Sequence, residues 1–319
     1  MALPHLARSF PSIVSLALVG LLALVGSLGG GSPALAGDPV PAGPPAAPTP
    51  ASGVEDIMQK GARYFDEAIT WVARGGTLGK AVDLNVHLDA QWDLEENHSE
   101  GEQSVWYLAP DKSRTETMTP TGPITKILDG DQAWVVTQKG MVNRIHGTPG
   151  AEPTLKQMKE DLLRIRDLTQ FVTLEGLKGP GVMFEFLGSF DGSGAYAGNW
   201  LKVARRSPDG RKITFWLARE KGADGIDHAS WPGIVRVEGD PAQRLWTEDW
   251  ILKEWDSPRA KPRAFRYPTK IQAWRSNPDP AQAKADPPRR FLGAIVDDIQ
   301  INAGIPVTRY APPAAPDKR

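Results

Sequence analysis

The side chains that could do chemistry are few, and their spacing matches no catalytic or metal-binding motif. The chain has five histidines, and those beyond the N-terminal segment are His87, His98, His146 and His228. None has the spacing of a metal-binding motif such as H-E-x-x-H. Each falls in or beside a turn or on the polar side of a strand, so we expect solvated histidines. Cysteine is absent, which excludes disulfides, cysteine nucleophiles and thiolate metal sites.

One pair of adjacent acidic residues, Asp297-Asp298, could bind a cation or act as acid and base. The alternative, which we expect, is that these two residues are an ordinary part of a strand near a bulge. The acidic residues of 93–96 fit a solvated strand end. Residues 191–194 (DGSG) lack the strand–turn–helix setting of a hydrolase nucleophile and predict a flexible loop. No phosphate-binding loop or dinucleotide fingerprint is present. We therefore expect a protein that is not an enzyme and needs no metal or cofactor.

The first residues predict an exported protein. Arg8 gives a weakly positive start, Ile13–Leu28 is apolar, and Ala34-Leu35-Ala36 fits the small-x-small cleavage rule. We expect a signal peptide over residues 1–36. The alternative is an uncleaved membrane anchor, which we do not favour because the apolar run is short for a span. A lipoprotein anchor is excluded because that lipid attaches to a cysteine. The predicted location is periplasmic or secreted.

Composition limits the possible partners of the protein and indicates how the rest of the chain is divided. The formal net charge of −1 provides no basic field to attract nucleic acid. Residues 37–51 are rich in proline and alanine and predict a disordered linker. A Pro-rich tail is predicted over residues 307–319, and residues 52–306 are long enough for a single domain with a sizeable core.

Val82–Asp93 is the clearest predicted strand. Apolar residues from Val82 to Trp92 alternate with polar ones from Asp83 to Asp93. Such a period of two predicts one dry and one wet face. At about 3.3 Å per residue the strand would be about 40 Å long, a length typical of strongly curved sheets and barrels.

Further strands are predicted on both sides of a central helix. Glu102–Ile145 predicts a meander with tight turns such as Asp129-Gly130-Asp131, since glycine takes the positive φ of hairpin turns. Residues 97–101 predict the turn into it, and Gly222–Pro232 predicts a polar loop. Later strands are expected at Val182–Leu187, Asn199–Arg206, Arg211–Ala218, Ile234–Val237, Leu245–Trp255, Thr269–Trp274 and Arg290–Ile301.

Two amphipathic helices complete the predicted elements. The first runs from Ser52 to about Arg74, opened by a capping-box pattern with Glu55. The second covers Thr154–Leu168, and a short strand is expected at Phe171–Leu174. The fold class is therefore α+β: a strongly curved antiparallel sheet, or incomplete β-barrel, with the N-terminal helix and the second helix as lid or plug. The concave apolar face must be filled by side chains, helices or a ligand.

Aromatic residues are abundant on the predicted strands, and the chain has eleven tryptophans. Core packing explains many of them, while an apolar ligand cavity or carbohydrate stacking would explain others. Some runs, such as Ser104–Leu108 and Ile213–Leu217, are apolar on both faces. The residues that we predict to line an apolar ligand site are Leu84, Val86, Leu88, Trp106, Leu108, Trp134, Val136, Phe184 and Phe186.

Three segments resemble the LolA/LolB-like superfamily of outer-membrane lipoprotein-sorting proteins. They are Tyr107–Arg114 with its Pro-Asp turn, Leu128–Trp134 with its Asp-Gly turn, and Val296–Pro306 at the closing strand. The resemblance implies an incomplete barrel with helices as a lid, whose concavity binds lipid or the acyl chains of lipoproteins. The sequence departs from true carriers at Ala109, which precedes Pro110 where they have an arginine beside the strand-ending proline.

These observations leave three functional hypotheses. The first is a non-enzymatic envelope protein that binds a lipid or lipoprotein acyl chain as carrier or sensor, with envelope proteins as further partners. The second is an envelope scaffold whose barrel is filled by its own helices and side chains. The third is a carbohydrate-active hydrolase, which would need two carboxylates converging roughly 5–10 Å apart in a cleft.

Overall fold

The computed structural model describes residues 52–94, 97–208, 212–238, 247–277 and 287–313. The predicted signal peptide, the predicted linker and the last residues of the tail lie outside this part of the chain. None of the described helices is both long and apolar enough to cross a membrane.

Within these described ranges, thirteen antiparallel strands form one open sheet. In chain order they are β1 Asp83–Leu94, β2 Asn97–Leu108, β3 Lys112–Thr119, β4 Gly122–Asp129, β5 Gln132–Val136, β6 Val142–Arg144, β7 Met183–Gly192, β8 Gly198–Arg206, β9 Lys212–Lys221, β10 Asp227–Glu238, β11 Thr247–Trp255, β12 Pro268–Ser276 and β13 Arg289–Ile301. The spatial order is β6-β5-β4-β3-β2-β1-β13-β12-β11-β10-β9-β8-β7. The first and last strands therefore pair in the middle, and β6 and β7 form the two edges.

Two helices pack on this sheet. They are α1 (Ser52–Val72) and α2 (Glu152–Thr173), and short 3-10 turns cover Glu175–Leu177, Gly194–Tyr196 and Val307–Tyr310. Because α2 lies between β6 and β7 in the chain, it connects the two opposite edges and has to cross the sheet. The predicted α+β class, an open curved sheet with two helices, is confirmed.

The period of two in β1 defines the two faces of the sheet. Leu84, Val86 and Leu88 are buried, whereas His87 and Asp89 are exposed. We call the face with the buried residues the inner face and the opposite one the outer face. A large buried cluster joins the inner face to α1 and α2. The core thus lies between the helices and one side of the sheet.

Extra residues in single strands account for local bending. In the β1–β13 pair, Leu88 lies opposite Val296 and His87 opposite Asp298, so Asp297 is the additional residue. In the β7–β8 pair the register shifts between Phe186 and Gly188. A bulge of this kind bends its strand and increases the local twist, which suits a sheet that has to wrap around two helices.

Three local predictions were wrong. Residues 97–101 are the first part of β2 rather than a turn. The pairing of β1 with β2 extends to the pair Leu94 and Asn97. Instead of the expected strand at Phe171–Leu174, residues up to Thr173 belong to α2 and Leu174 is its C-cap. Phe171 is buried as part of this helix. The expected loop at Gly222–Pro232 ends earlier, since β10 begins at Asp227.

The start of β1 also differs from its predicted alternation. Val82, expected on the dry face, is 47% exposed, and Asp83, expected on the wet face, is 3% exposed. The Asp83 carboxylate accepts hydrogen bonds from the backbone N–H groups of Ala303 (2.7 Å) and Gly304 (3.0 Å). Burial of a carboxylate is tolerated where hydrogen bonds compensate it, so the segment after β13 determines the environment of Asp83.

Candidate functional site

The predicted lining residues of the first half of the sheet divide between its two faces. Leu84, Val86 and Leu88 lie buried on the inner face. In the β1–β2 pair Val86 lies opposite Val105, whereas Trp106 lies opposite Asn85. Trp106 is therefore on the outer face, and Leu108 follows it by the alternation of β2.

The predicted residues of β5 and β7 show the same division. Val135 packs against the inner cluster, which places its neighbours Trp134 and Val136 on the outer face. Phe184 and Phe186, by contrast, both contact α1 on the inner side. The structure thus brings five of the predicted residues together and separates the other four from them.

Sequence reasoning missed the inner residues of β2. Val105 and Tyr107 are buried in the inner cluster. Because Ser104–Leu108 is apolar on both faces, its own pattern did not show which residues point inward. The clear alternation of β1 could have identified them, because the pairing of β1 with β2 shows which residues of β2 lie on the inner face.

The inner face is covered by aromatic side chains of α1. Phe65 stacks on Phe184 with ring centroids 4.2 Å apart and meets Phe215 edge-on at 5.2 Å. Tyr64 lies 5.1 Å from Phe186. At Gly61 a Cβ atom would lie 2.4 Å from the backbone oxygen of Phe184. Glycine therefore permits α1 to approach β7 closely.

The second helix covers the neighbouring strands. Phe171 contacts Phe215 and Trp250 with centroid distances of 6.4 and 6.1 Å. Trp250 in turn meets Phe291 at 6.0 Å. Together the two helices occupy the middle of the inner face with their own side chains.

Polar contacts hold α1 at its borders. Glu67 accepts a hydrogen bond of 2.7 Å from the backbone N–H of Ala229. Asp66 pairs with Lys178 at 2.5 Å, and Arg74 pairs with Asp256 at 2.6 Å. Both ion pairs are largely exposed, and exposed pairs contribute only about 0–1 kcal/mol each. Apolar packing therefore dominates the attachment of α1.

A cleft opens at the rim of the inner face, where α1 ends and β13 ends. Its volume is about 350 Å³. The apolar lining residues are Leu78, Phe265 and Ile301, and Leu78 and Ile301 also pack against the inner cluster. Arg263 lines the same cleft. We call this feature the rim cleft.

Arg263 joins the rim cleft to the acidic pair at residues 297–298. Its Nη2 donates to Asp298, whose other oxygen lies 3.3 Å from Lys261 Nζ. Burial raises the pKa of Asp298, but the hydrogen bonds and charges of Arg263 and Lys261 outweigh it, so the pKa lies below the usual value. Asp297 is exposed at the bulge. Asp298 therefore serves as an ion-pair partner, in line with the strand-and-bulge alternative.

The histidines with described side chains take part in local contacts. His87 is 2.7 Å from Ser104 Oγ, and His146 accepts a hydrogen bond of 2.9 Å from the backbone N–H of Ala133. His228 lies 3.3 Å from Glu67. The side chain of His98 lies outside the described residues. Across the described ranges no group of three or more His, Cys, Asp or Glu residues is placed to hold a metal ion.

The outer face carries a second aromatic cluster. Trp200, Trp216 and Ile234 are buried there, with Tyr196 and Trp231 packed against them. We call these five residues the outer cluster.

Charged groups border the outer cluster. Arg236 donates two hydrogen bonds of 2.7 and 2.8 Å to Asp249, and the Tyr196 hydroxyl donates one of 2.9 Å to the same carboxylate. Burial and the neighbouring Asp249 raise the pKa of Tyr196 to about 12. Lys202 lies 4.9 Å from the Trp216 ring centroid. This arrangement is a polar network over a small apolar patch.

Another cleft, of about 250 Å³, lies between β1, β12 and β13. Asp89, Gln91, Lys270 and Arg290 line it, and Arg290 donates a hydrogen bond of 3.0 Å to Gln91. Apolar residues such as Ile271 and Ile295 line it as well, so its lining is mixed and carries charges of both signs.

Comparison with known proteins gives matches among solved structures. No family model matches the chain, and no curated protein matches it. A DUF1329 family protein from Desulfovibrio piger is 11% identical, with a TM-score of 0.43, over 80% of this chain and 97% of that one.

Two further structures carry lipoprotein-sorting names. A domain named as an outer membrane lipoprotein-sorting protein, from Vibrio parahaemolyticus, is 12% identical with a TM-score of 0.36. A LolA superfamily protein from Nitrosomonas europaea is 10% identical with a TM-score of 0.39. Each alignment covers 81% of this chain and 97% of the other.

Proposed function

We propose that this chain is a non-enzymatic cell-envelope protein that binds a lipid or lipoprotein acyl chain, as a carrier or sensor, between α1 and the inner face. The observation that carries the proposal is the apolar inner face, which α1 and α2 cover and which the rim cleft borders. The proposed lining residues are Leu84, Val86, Leu88, Phe184 and Phe186, of which the last two contact α1 directly. The predicted signal peptide and periplasmic or secreted location belong to this proposal.

Energetics support an exchange between α1 and an acyl chain. Tyr64, Phe65, Ile69 and Val72 of α1 are buried. At about 1.5–3 kcal/mol for each large apolar side chain, their burial contributes on the order of 10 kcal/mol. A sixteen-carbon chain at about 0.8 kcal/mol per methylene contributes a similar amount before ordering costs. Near balance would allow loading and release.

The proposal requires α1 to move, because the rim cleft is small. Its 350 Å³ lies near the lower end of the roughly 300–1,000 Å³ typical of small-molecule sites. It can therefore admit the end of an acyl chain, while the rest requires the space that α1 occupies. Residues 74–77 between α1 and β1 are exposed, and Gly75 has a φ of 80° with no other group near its Cβ position. This connection is suited to act as a hinge.

Cross-linking tests the exchange, because the chain has no natural cysteine. In the double variant Asp66→Cys/Lys178→Cys, a bis-maleimide reagent with an internal disulfide would hold α1 in place. We expect saturable uptake of a fluorescent fatty acid by the wild type and by the untreated variant. Uptake should disappear after cross-linking and return after reduction.

The matched control is Lys112→Cys/Asp129→Cys, since these residues are paired between β3 and β4, away from α1. Cross-linking this control should leave uptake unchanged. Absence of saturable uptake by the wild type would overturn the carrier proposal. Full uptake by the cross-linked α1 variant would overturn the displacement of α1.

One observation favours the scaffold as a second candidate. The helices already place Phe65 and Phe171 in contact with the sheet, as expected for a self-filled interior. If the scaffold is correct, neither the wild type nor a variant with weakened α1 packing will take up the fatty acid. The third hypothesis, a carbohydrate-active hydrolase, has no comparable observation in its favour.

A further inference from the structure

The rim cleft has an apolar and a polar side. Leu78, Phe265 and Ile301 form the apolar side, next to the inner cluster. Thr77 and Arg263 are among the polar lining residues. A site of this composition matches an amphiphile, with its chain toward the sheet and its headgroup toward the rim.

The guanidinium of Arg263 is only partly engaged. It has five N–H donors, and Nη2 donates to Asp298. Its Nε is buried without a hydrogen-bond partner. Asp298 is also contacted by Lys261, so two cationic side chains share this one buried carboxylate. A buried donor without a partner is unfavourable. The Arg263 side chain is 28% exposed and lines the rim cleft, so an anion in the cleft would meet this guanidinium.

We propose that the rim cleft binds the anionic headgroup of an amphiphile, a carboxylate or a phosphate, on Arg263. This inference rests on the proposed function, because it places the acyl chain of the same ligand past Leu78 and Phe265 toward the inner face. Charge-assisted hydrogen bonds from an arginine to such anions are strong and directional. Asp298 is then an internal competitor that holds Arg263 while the cleft is empty.

Three probes with one acyl chain and one fluorophore test the headgroup. They are a fatty acid, its methyl ester and a lysophosphatidic acid. We expect the wild type to bind the acid at least about tenfold more tightly than the neutral ester, as a charged hydrogen bond implies. Tighter binding of the phosphate probe than of the acid would assign the site to phosphate, and weaker binding would assign it to carboxylate.

Variants separate headgroup binding from a structural role. Arg263→Gln should weaken binding of the acid about tenfold and leave binding of the ester unchanged, while Arg263→Lys should lie in between. Asp298→Asn should strengthen acid binding, because it removes the competing carboxylate. The control is Arg259→Gln, an exposed position in the same loop, which should bind like the wild type.

The outcomes distinguish this inference from the proposed function. If the wild type binds neither the acid nor the ester, the carrier proposal fails. If it binds both equally, or if Arg263→Gln weakens both alike, only the headgroup inference fails. Should Asp298→Asn not fold, the ratio of acid to ester binding in Arg263→Gln and Arg263→Lys decides the question.

Discussion

The inner and outer faces of this sheet both carry aromatic residues, but different kinds of groups cover these residues on the two faces. On the inner face, Phe184 and Phe215 are covered by Phe65 of α1, an apolar contact without directional bonds. On the outer face, Trp216 lies beside Arg236, which is fixed to Asp249 by two hydrogen bonds. In the proposed function an acyl chain replaces the first cover, whereas the second cover depends on specific geometry. Aromatic content alone therefore does not mark a ligand site.

The largest expected effect comes from removing the central aromatic side chain of α1. Phe65→Ala should lower the free energy of unfolding by about 3–5 kcal/mol, since Phe65 is fully buried. It should also speed uptake of the fluorescent fatty acid, because α1 is held less firmly. Urea unfolding and stopped-flow fluorescence measure the two effects.

Its matched control lies in the outer cluster. Ile234→Ala removes a side chain that is 1% exposed and should cost about 2–5 kcal/mol, with uptake unchanged. Equal acceleration of uptake in both variants would show that general destabilisation, rather than release of α1, controls access to the inner face.

A smaller effect is expected where α1 approaches β7. Gly61→Ala would normally stabilise a helix interior by about 1 kcal/mol. Here the new Cβ would meet Phe184 backbone atoms, so we expect a net loss of about 1–3 kcal/mol and faster uptake. Urea unfolding measures the loss. The exposed neighbour Ala62 serves as control, and Ala62→Gly should cost only about 0.5–1 kcal/mol with unchanged uptake. Stabilisation by Gly61→Ala would contradict the close contact.

The smallest effect concerns the polar cover of the outer cluster. The pKa of Tyr196 is raised to about 12, above about 10 for an unfolded tyrosine. The folded state therefore binds this proton more tightly. That stability is fully present below about pH 10 and is lost as the pH rises toward about 12.

Tyr196→Phe removes this contribution and the hydrogen bond to Asp249. We expect a loss of about 1 kcal/mol at neutral pH, unchanged fatty-acid uptake, and a shallower decline of stability between about pH 10 and pH 12 than in the wild type. Urea midpoints across this range measure the difference. Identical alkaline slopes would show that Tyr196 is not responsible.

Local patterns predicted the elements well where one face is dry and the other wet. Leu84, Val86 and Leu88 alternate with polar residues, and the structure buries these three. The turn at Asp129-Gly130 lies between β4 and β5 as expected, with Gly130 at a φ of 59°. The helix predicted from Ser52 also has nearly its predicted length. In each case the signal depends on neighbours within a few residues.

The same patterns did not resolve the candidate site. Trp106 and Val105 are both buried, so hydrophobicity could not show which of them lies on the inner face. Arg263 drew no attention as a loop residue, because its partner Asp298 belongs to β13 and Leu78, across the rim cleft, follows α1. The rim cleft exists only where these distant segments meet.

The amino-acid sequence by itself determined most of the segments that become strands and helices and, in β1 from Leu84 onward, which side chains turn inward. Side-chain periodicity is a local property, so it can be read from the residues alone. Tertiary structure decided that β1 pairs with β13, that α1 covers Phe184, and that Asp83 is buried beneath Ala303 and Gly304. These contacts join residues more than a hundred positions apart, and they form only because the curved sheet brings its first and last strands together.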